Sequence, residues 1–293
     1  MRHRILRQIE PALYIGPAMI GLVLILIYPL GYSLWLAFHQ WTLRTFRQGV
    51  PYVGLDNFTD LIQGEDFTGA LATTGTFMFF AIVLEFVLGM GLALLLDQNL
   101  RGQRLFRSLI LLPMMCTNVV IGLTWRLMYN YEYGVVNYFL NMVGIDSVAW
   151  VSDISVVMLS VILVDVWNTT SFVALLLLAG LQALPEEPFE AARIDGASAW
   201  QRFVHLTLPL LRPAILVALL WRVIDTFRIF DVIYLLTAGG PARKTETVSI
   251  YVYRYGFKLF DLGFAAAASY LMILIMLIMA IVLTTMIGRT SSD

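Results

Sequence analysis

Four charged residues, Arg222, Asp225, Arg228 and Asp231, recur at every third position of the stretch WRVIDTFRIFD. They stand inside a run, 213–237, that is otherwise apolar and long enough to cross a bilayer. A charge near the bilayer centre costs at least a few kcal/mol on insertion scales, so such residues face protein or a wet cavity rather than lipid. A spacing of three puts opposite charges on adjacent turns of one helix, where they neutralise one another. A second polar stretch, DVWNTTSF at 165–172, places Asp165, Asn168 and Thr169 at helical spacing on one face and offers Trp167 as an apolar plate for a sugar ring. Donors and acceptors at mid-membrane, lining water, are what a transport site for a polar solute requires.

Depth links the two stretches. Counting about 1.5 Å per residue from Pro213 puts Arg222 roughly 13 Å into its span, and the same count from Ile154 puts Asp165 roughly 16 Å into a span running the other way. Asp165, Trp167, Asn168, Thr169, Arg222, Asp225 and Thr226 are therefore the candidates for a substrate pathway, with Arg228 and Asp231 as a structural pair near the outer interface. Ion pairs and hydroxyls inside helix bundles also join helices without touching any solute, and that reading stands beside the first for each of them. Glu85 and Asn118 are polar residues in other apolar runs, candidate partners for this ladder or for a second subunit, and Arg126 is read as snorkelling to the outer surface.

The elements that position these residues follow from composition. The chain of 293 residues is 59% hydrophobic and 13% charged, with a mean hydropathy of +0.80, against a charged fraction of about 25% in soluble domains. This is the composition of a membrane protein. A net charge of −1 leaves no basic face for nucleic acid. The single cysteine, Cys116, excludes an intrachain disulfide, and His3, His39 and His205 are too scattered for a metal site. Runs of about 20 apolar residues, the length that crosses the hydrocarbon core, predict an all-α polytopic domain over 1–293. Its six transmembrane helices fall near 14–38, 70–96, 108–129, 154–180, 213–237 and 264–287. The first is read as a retained signal anchor, with Pro29 kinking or ending a helical stretch.

Basic residues accumulate in cytoplasmic loops. With both termini cytoplasmic, ten Lys or Arg fall inside and six outside, and the short segment DQNLRGQRLFR carries three of them. That orientation makes 181–212 an inner loop. It predicts two short helices: Pro188 suits a first turn, Glu186, Glu187 and Glu190 favour its N-terminal end, and Gly196 allows the turn. Ser198 caps the second helix and Pro209 ends it. An amphipathic pair lying on the membrane surface fits these residues as well as a protein-docking elbow does.

The segment EAARIDGASAWQRFVHLTLP resembles the loop shared by membrane subunits of bacterial ATP-binding-cassette (ABC) importers: EAA, three residues, G, nine residues, then I-x-L-P. Glu190, Ala191, Ala192, Gly196, Leu208 and Pro209 match in register, and Leu206 replaces Ile. YPLGYSLWLAF, VGLDNF, FRSLILLP and FDVIYLLTAGGPARKTETVSIYVYRYGF extend the resemblance over nearly the whole chain, to sugar permeases of the maltose, trehalose and glycerol-phosphate type. LLTAGGP is similar to the F-type half of the maltose pair. With six spans and a short outer loop, the chain departs from the enterobacterial maltose permease, which has two further spans and a large periplasmic insertion.

The resemblance implies the type I ABC importer permease fold in the bacterial inner membrane. It implies four kinds of partner besides lipid: a second permease, two cytoplasmic ATPase subunits, an extracytoplasmic solute-binding protein and a carbohydrate. The ATPase-coupling loop is then Glu190, Ala191, Ala192, Asp195, Gly196 and Ala197. The segments matching 165–172 and 222–229 line the sugar site in that family. Trp167 agrees with the pattern, whereas Asp165, Arg222 and Thr226 depart from it. The sequence itself has no G-x-x-x-x-G-K-[ST] stretch, the phosphate cradle of a P-loop, so ATP and Mg belong to the partner ATPases and this chain binds no cofactor. The alternative is a proton-coupled secondary transporter using Asp165 and Glu85 as carriers. An intramembrane enzyme finds no catalytic constellation in the sequence.

Overall fold

A computed structural model describes residues 14–98 and 102–290. Arg2, Arg4, Arg7 and Arg101, which contribute to the expected orientation, lie outside the described residues. Apolar runs become helices because a backbone in lipid has to satisfy its own hydrogen bonds. The helices are α1 (Tyr14–Ala37), α2 (Asp56–Gln63), α3 (Glu65–Asp97), α4 (Gln103–Met115), α5 (Asn118–Met128), α6 (Val135–Met142), α7 (Val157–Gln182), α8 (Glu187–Ile194), α9 (Ala199–Phe227), α10 (Asp231–Thr237), α11 (Val248–Tyr253) and α12 (Leu262–Thr290). Five of them, α1, α3, α7, α9 and α12, are long and apolar enough to cross a membrane, and α4 with α5 pass the same test together as a pair bent by 94°, a broken span or a re-entrant loop.

The helices depart from the sequence expectation in three places, each set by proline or by a local backbone turn. Pro29 does not end α1, because Val23–Ile27 takes the π form and the Tyr28 N–H bonds the Val23 carbonyl. The wider turn accommodates the ring that would otherwise meet the preceding carbonyl. Phe203–Thr207 does the same ahead of Pro209, with the Leu208 N–H on the Phe203 carbonyl. The fifth span therefore does not run over 213–237 but over Ala199–Phe227, straight through Pro209 and Pro213. The third expected span, 108–129, is interrupted where Thr117 is extended (ψ 146°) between α4 and α5.

Contacts divide the chain into two compact units, one within 1–68 and 252–274, the other within 69–251 and 275–293. In the first, the backbone of Leu262 donates to the Trp41 carbonyl at 2.9 Å. Gly263 has no side chain because a Cβ there would lie 2.1 Å from the His39 carbonyl oxygen. The second unit holds two apolar cores. One joins α3, α5, α7 and α10 through Phe77, Ile121, Val161 and Ile233, and the other joins α3, α7 and α9 through Ala93, Leu177 and Leu211. All the candidate pathway and coupling residues belong to this second unit.

Candidate functional site

The charged stretch that opened the sequence reading is not a single ladder. α9 ends at Phe227, Arg228 is its C-cap, and Asp231 opens α10, where a carboxylate is favoured by the positive helix end. The expected Arg228–Asp231 pairing gives way to one between Arg228 and Asp225, at 3.3 Å.

Arg222 is instead the hub of a buried network. It is 1% exposed. Its Nε donates to Glu85 Oε2 at 2.6 Å and its Nη2 to Glu85 Oε1 at 2.7 Å, a two-pronged pairing between α9 and α3. The same Nη2 donates to Asp165 Oδ2 of α7 at 2.8 Å, and Nη1 donates to Asp225 Oδ2 at 3.0 Å. Glu85 and Asp165 are buried, whereas the Asp225 side chain is 40% exposed. Paired planar groups of this kind give the strongest and most directional of protein hydrogen bonds. Thr226 is fully buried and donates to the Arg222 carbonyl at 2.6 Å.

The structure thus brings Asp165, Arg222, Asp225 and Thr226 together and adds Glu85, one of the two candidate partners for the ladder in the sequence. Its signal was a single carboxylate in the middle of a 33-residue apolar helix. Trp167, Asn168 and Thr169 lie elsewhere on α7. Trp167 is exposed, meets Trp125 edge-on at 5.5 Å, and lines an apolar groove with Leu88 and Pro113. Asn168 and Thr169 are half-buried, and Asn168 Oδ1 is buried with no hydrogen-bond partner. Arg126 does not simply snorkel, since its Nη1 donates to the Leu235 carbonyl of α10 at 3.2 Å.

The second site is the elbow between α8 and α9. α8 starts with Pro188 in its first turn and carries Glu187 and Glu190 there. It stops in a Schellman arrangement: the Gly196 N–H bonds the Arg193 carbonyl at 3.1 Å and the Ala197 N–H bonds the Ala192 carbonyl at 2.9 Å. Gly196 sits at φ +78°, a conformation glycine adopts without penalty. Ser198 then opens α9 with a capping box, accepting from the Gln201 backbone at 3.2 Å while its own N–H donates to Gln201 Oε1 at 2.8 Å. Glu190, Ala191, Asp195 and Gly196 are exposed, with Ala192 and Ala197 half-buried. Around this fixed turn Ile194 is 87% exposed and Trp200 71% exposed.

The elbow lies between two long apolar helices, α7 and α9. The model of the family described as "Binding-protein-dependent transport system inner membrane component" matches residues 85–290. The chain belongs to that family. Its relatives include the trehalose/maltose transport system permease protein MalF of Thermococcus litoralis, 38% identical over 96% of this chain and 94% of that protein. The trehalose transport system permease protein SugA of Mycobacterium tuberculosis is 37% identical over 94% and 88%. The sulfoquinovosyl glycerol transport system permease protein SmoG of Agrobacterium fabrum is 34% identical over 89% and 84%. A chain of the crystal structure of a bacterial ABC transporter that imports the polysaccharide alginate superposes with a TM-score of 0.81 over 98% of this chain and 99% of that one, at 24% identity. The permease is therefore an all-α, multi-pass inner-membrane subunit of an ABC importer with the type I fold.

The matched region begins at Glu85 and contains both sites. A proton-coupled carrier needs carboxylates that can release a proton to solvent, whereas both Glu85 and Asp165 of the permease are buried and held by Arg222.

Proposed function

We propose that the permease carries a carbohydrate, delivered by an extracytoplasmic solute-binding protein, into the cytoplasm, as one transmembrane domain paired with a second permease. In this reading both termini and the 181–212 loop face the cytoplasm. The elbow, Glu190 to Ala197, docks into one of two separate ABC ATPase subunits, which hold the ATP and Mg and perform the hydrolysis. The relatives named for trehalose, maltose and sulfoquinovosyl glycerol support a sugar or sugar derivative as the cargo. Asp165, Trp167, Asn168, Thr169, Arg222, Asp225 and Thr226 mark the polar stretch of the pathway through this chain, with Trp167 presenting the exposed ring and Asp225 the accessible carboxylate.

One observation carries the reading: a capped turn at Gly196 holds the large apolar side chains of Ile194 and Trp200 exposed. Large apolar side chains held out on a fixed turn are the anchors from which protein interfaces draw most of their energy. Gly196→Asp tests it. A side chain at φ +78° disturbs the turn and adds charge at its tip. The expected result is loss of co-purification with the ATPase subunit and loss of uptake, while the permease remains in the membrane. An unchanged ATPase association would remove the docking role.

A further inference from the structure

We propose that Arg222, Glu85, Asp165 and Asp225 form a positioning clamp that makes α3, α7 and α9 move as one lever, carrying displacement of the elbow to the far end of α9. The inference rests on the docking role proposed for the elbow. It starts from a contrast between the apolar and the ionic contacts among these helices.

On the elbow side of Arg222 the three helices are held by close apolar packing. Gly180 of α7 lies so near α9 that a Cβ there would fall 2.6 Å from the Ala214 Cβ, and a Cβ on Gly89 of α3 would fall 2.9 Å from Val173 Cγ1 of α7. Further along, Arg222 bonds to all three, with two bonds to α3, one to α7 and one back to its own helix, beside the apolar core in which Phe77 of α3 meets Val161 of α7. α9 runs unbroken from the elbow to Arg222, which stands roughly 35 Å along the helix by its rise per residue. Nothing in stability requires ions at this place, because well-packed apolar residues of similar volume commonly do as well or better. What ions add is direction. A guanidinium fork on a carboxylate fixes distance and angle, whereas apolar surfaces permit the small sliding by which packed helices shear. Asp225, shared between Arg222 and Arg228, extends the clamp to the C-cap where α9 stops.

The test uses the permease assembled with its partner permease and ATPase subunits, in a Cys116→Ser background, with nitroxide labels on engineered cysteines at Phe79 of α3 and Trp221 of α9, both exposed. Electron–electron distances are compared without nucleotide and after ATP–vanadate trapping. The wild-type network is expected to give one narrow distance that shifts by less than about 2 Å, the scale of helix adjustments that leave packing intact. Glu85→Leu/Asp165→Leu/Arg222→Leu is expected to assemble and to show one distance before trapping and several after it. A single distance after trapping, or a spread already present without nucleotide, overturns the clamp. Should the triple variant not assemble, Glu85→Gln decides. A trapped Glu85→Gln complex with the wild-type distance, or no complex at all, overturns it equally. A wild-type permease that brings down no ATPase subunit removes the docking role and the lever with it, whereas intact docking with rigid variants removes the clamp alone.

Discussion

Arg222 is the residue on which the interior of the second unit depends most. Its removal leaves Glu85 and Asp165 buried and facing each other without a cation. Breaking a buried ion pair from one side costs about 3–5 kcal/mol. Arg222→Met is therefore expected to lower thermal stability in detergent well below that of the triple apolar variant, and differential scanning of the two purified proteins checks this. Equal stability would mean that water reaches the carboxylates. Sequence reading put Arg222 and Asp165 at one depth without pairing them, even though the depth of Arg222 was counted from a helix start that proved too late. Glu85 was left as one of two candidate partners, because a carboxylate inside the apolar stretch of a long helix shows no spacing to a neighbour, and only the packing of α3 against α7 and α9 selects its partner.

At the scale of the elements, the turn signals were legible and the prolines misled. Pro188, Gly196 and Ser198 each act locally, through a missing N–H, a positive φ and a side-chain cap, so their meaning is set within a few residues. The effect of Pro209 depends on the π turn four residues before it, which has no signature in residue type, and the fifth span was placed too late as a result. The bend between α4 and α5 is likewise local, two extended residues, Cys116 and Thr117, between two helical runs. The contact of α7 with α9 at Gly180 carries its own expectation. Gly180→Val drives a branched side chain into Ala214 and Leu211, and overpacking of this kind costs about 1–3 kcal/mol. The variant should unfold at lower temperature and spread the elbow ends of α7 and α9. Wild-type stability would show that the helices can separate freely there.

At the scale of the whole molecule, composition alone identified a polytopic helical membrane protein. The elbow segment suggested its place in a larger machine through its resemblance to the loop of ABC importer membrane subunits, whereas its residues alone fitted a helix pair on the membrane surface as well. Mid-membrane polarity was visible too, but which polar groups meet one another depends on helix rotation and register, and these are decided by packing. The central claim concerns orientation: the elbow between α8 and α9 projects into the cytoplasm and is covered there by an ATPase subunit. The most direct measurement places one cysteine at the elbow, Ile194→Cys with Cys116→Ser, and applies a membrane-impermeant maleimide to intact spheroplasts and to inside-out vesicles. Ile194→Cys should label only in inside-out vesicles, and binding of the ATPase subunit should protect it. Labelling in intact spheroplasts would contradict the account.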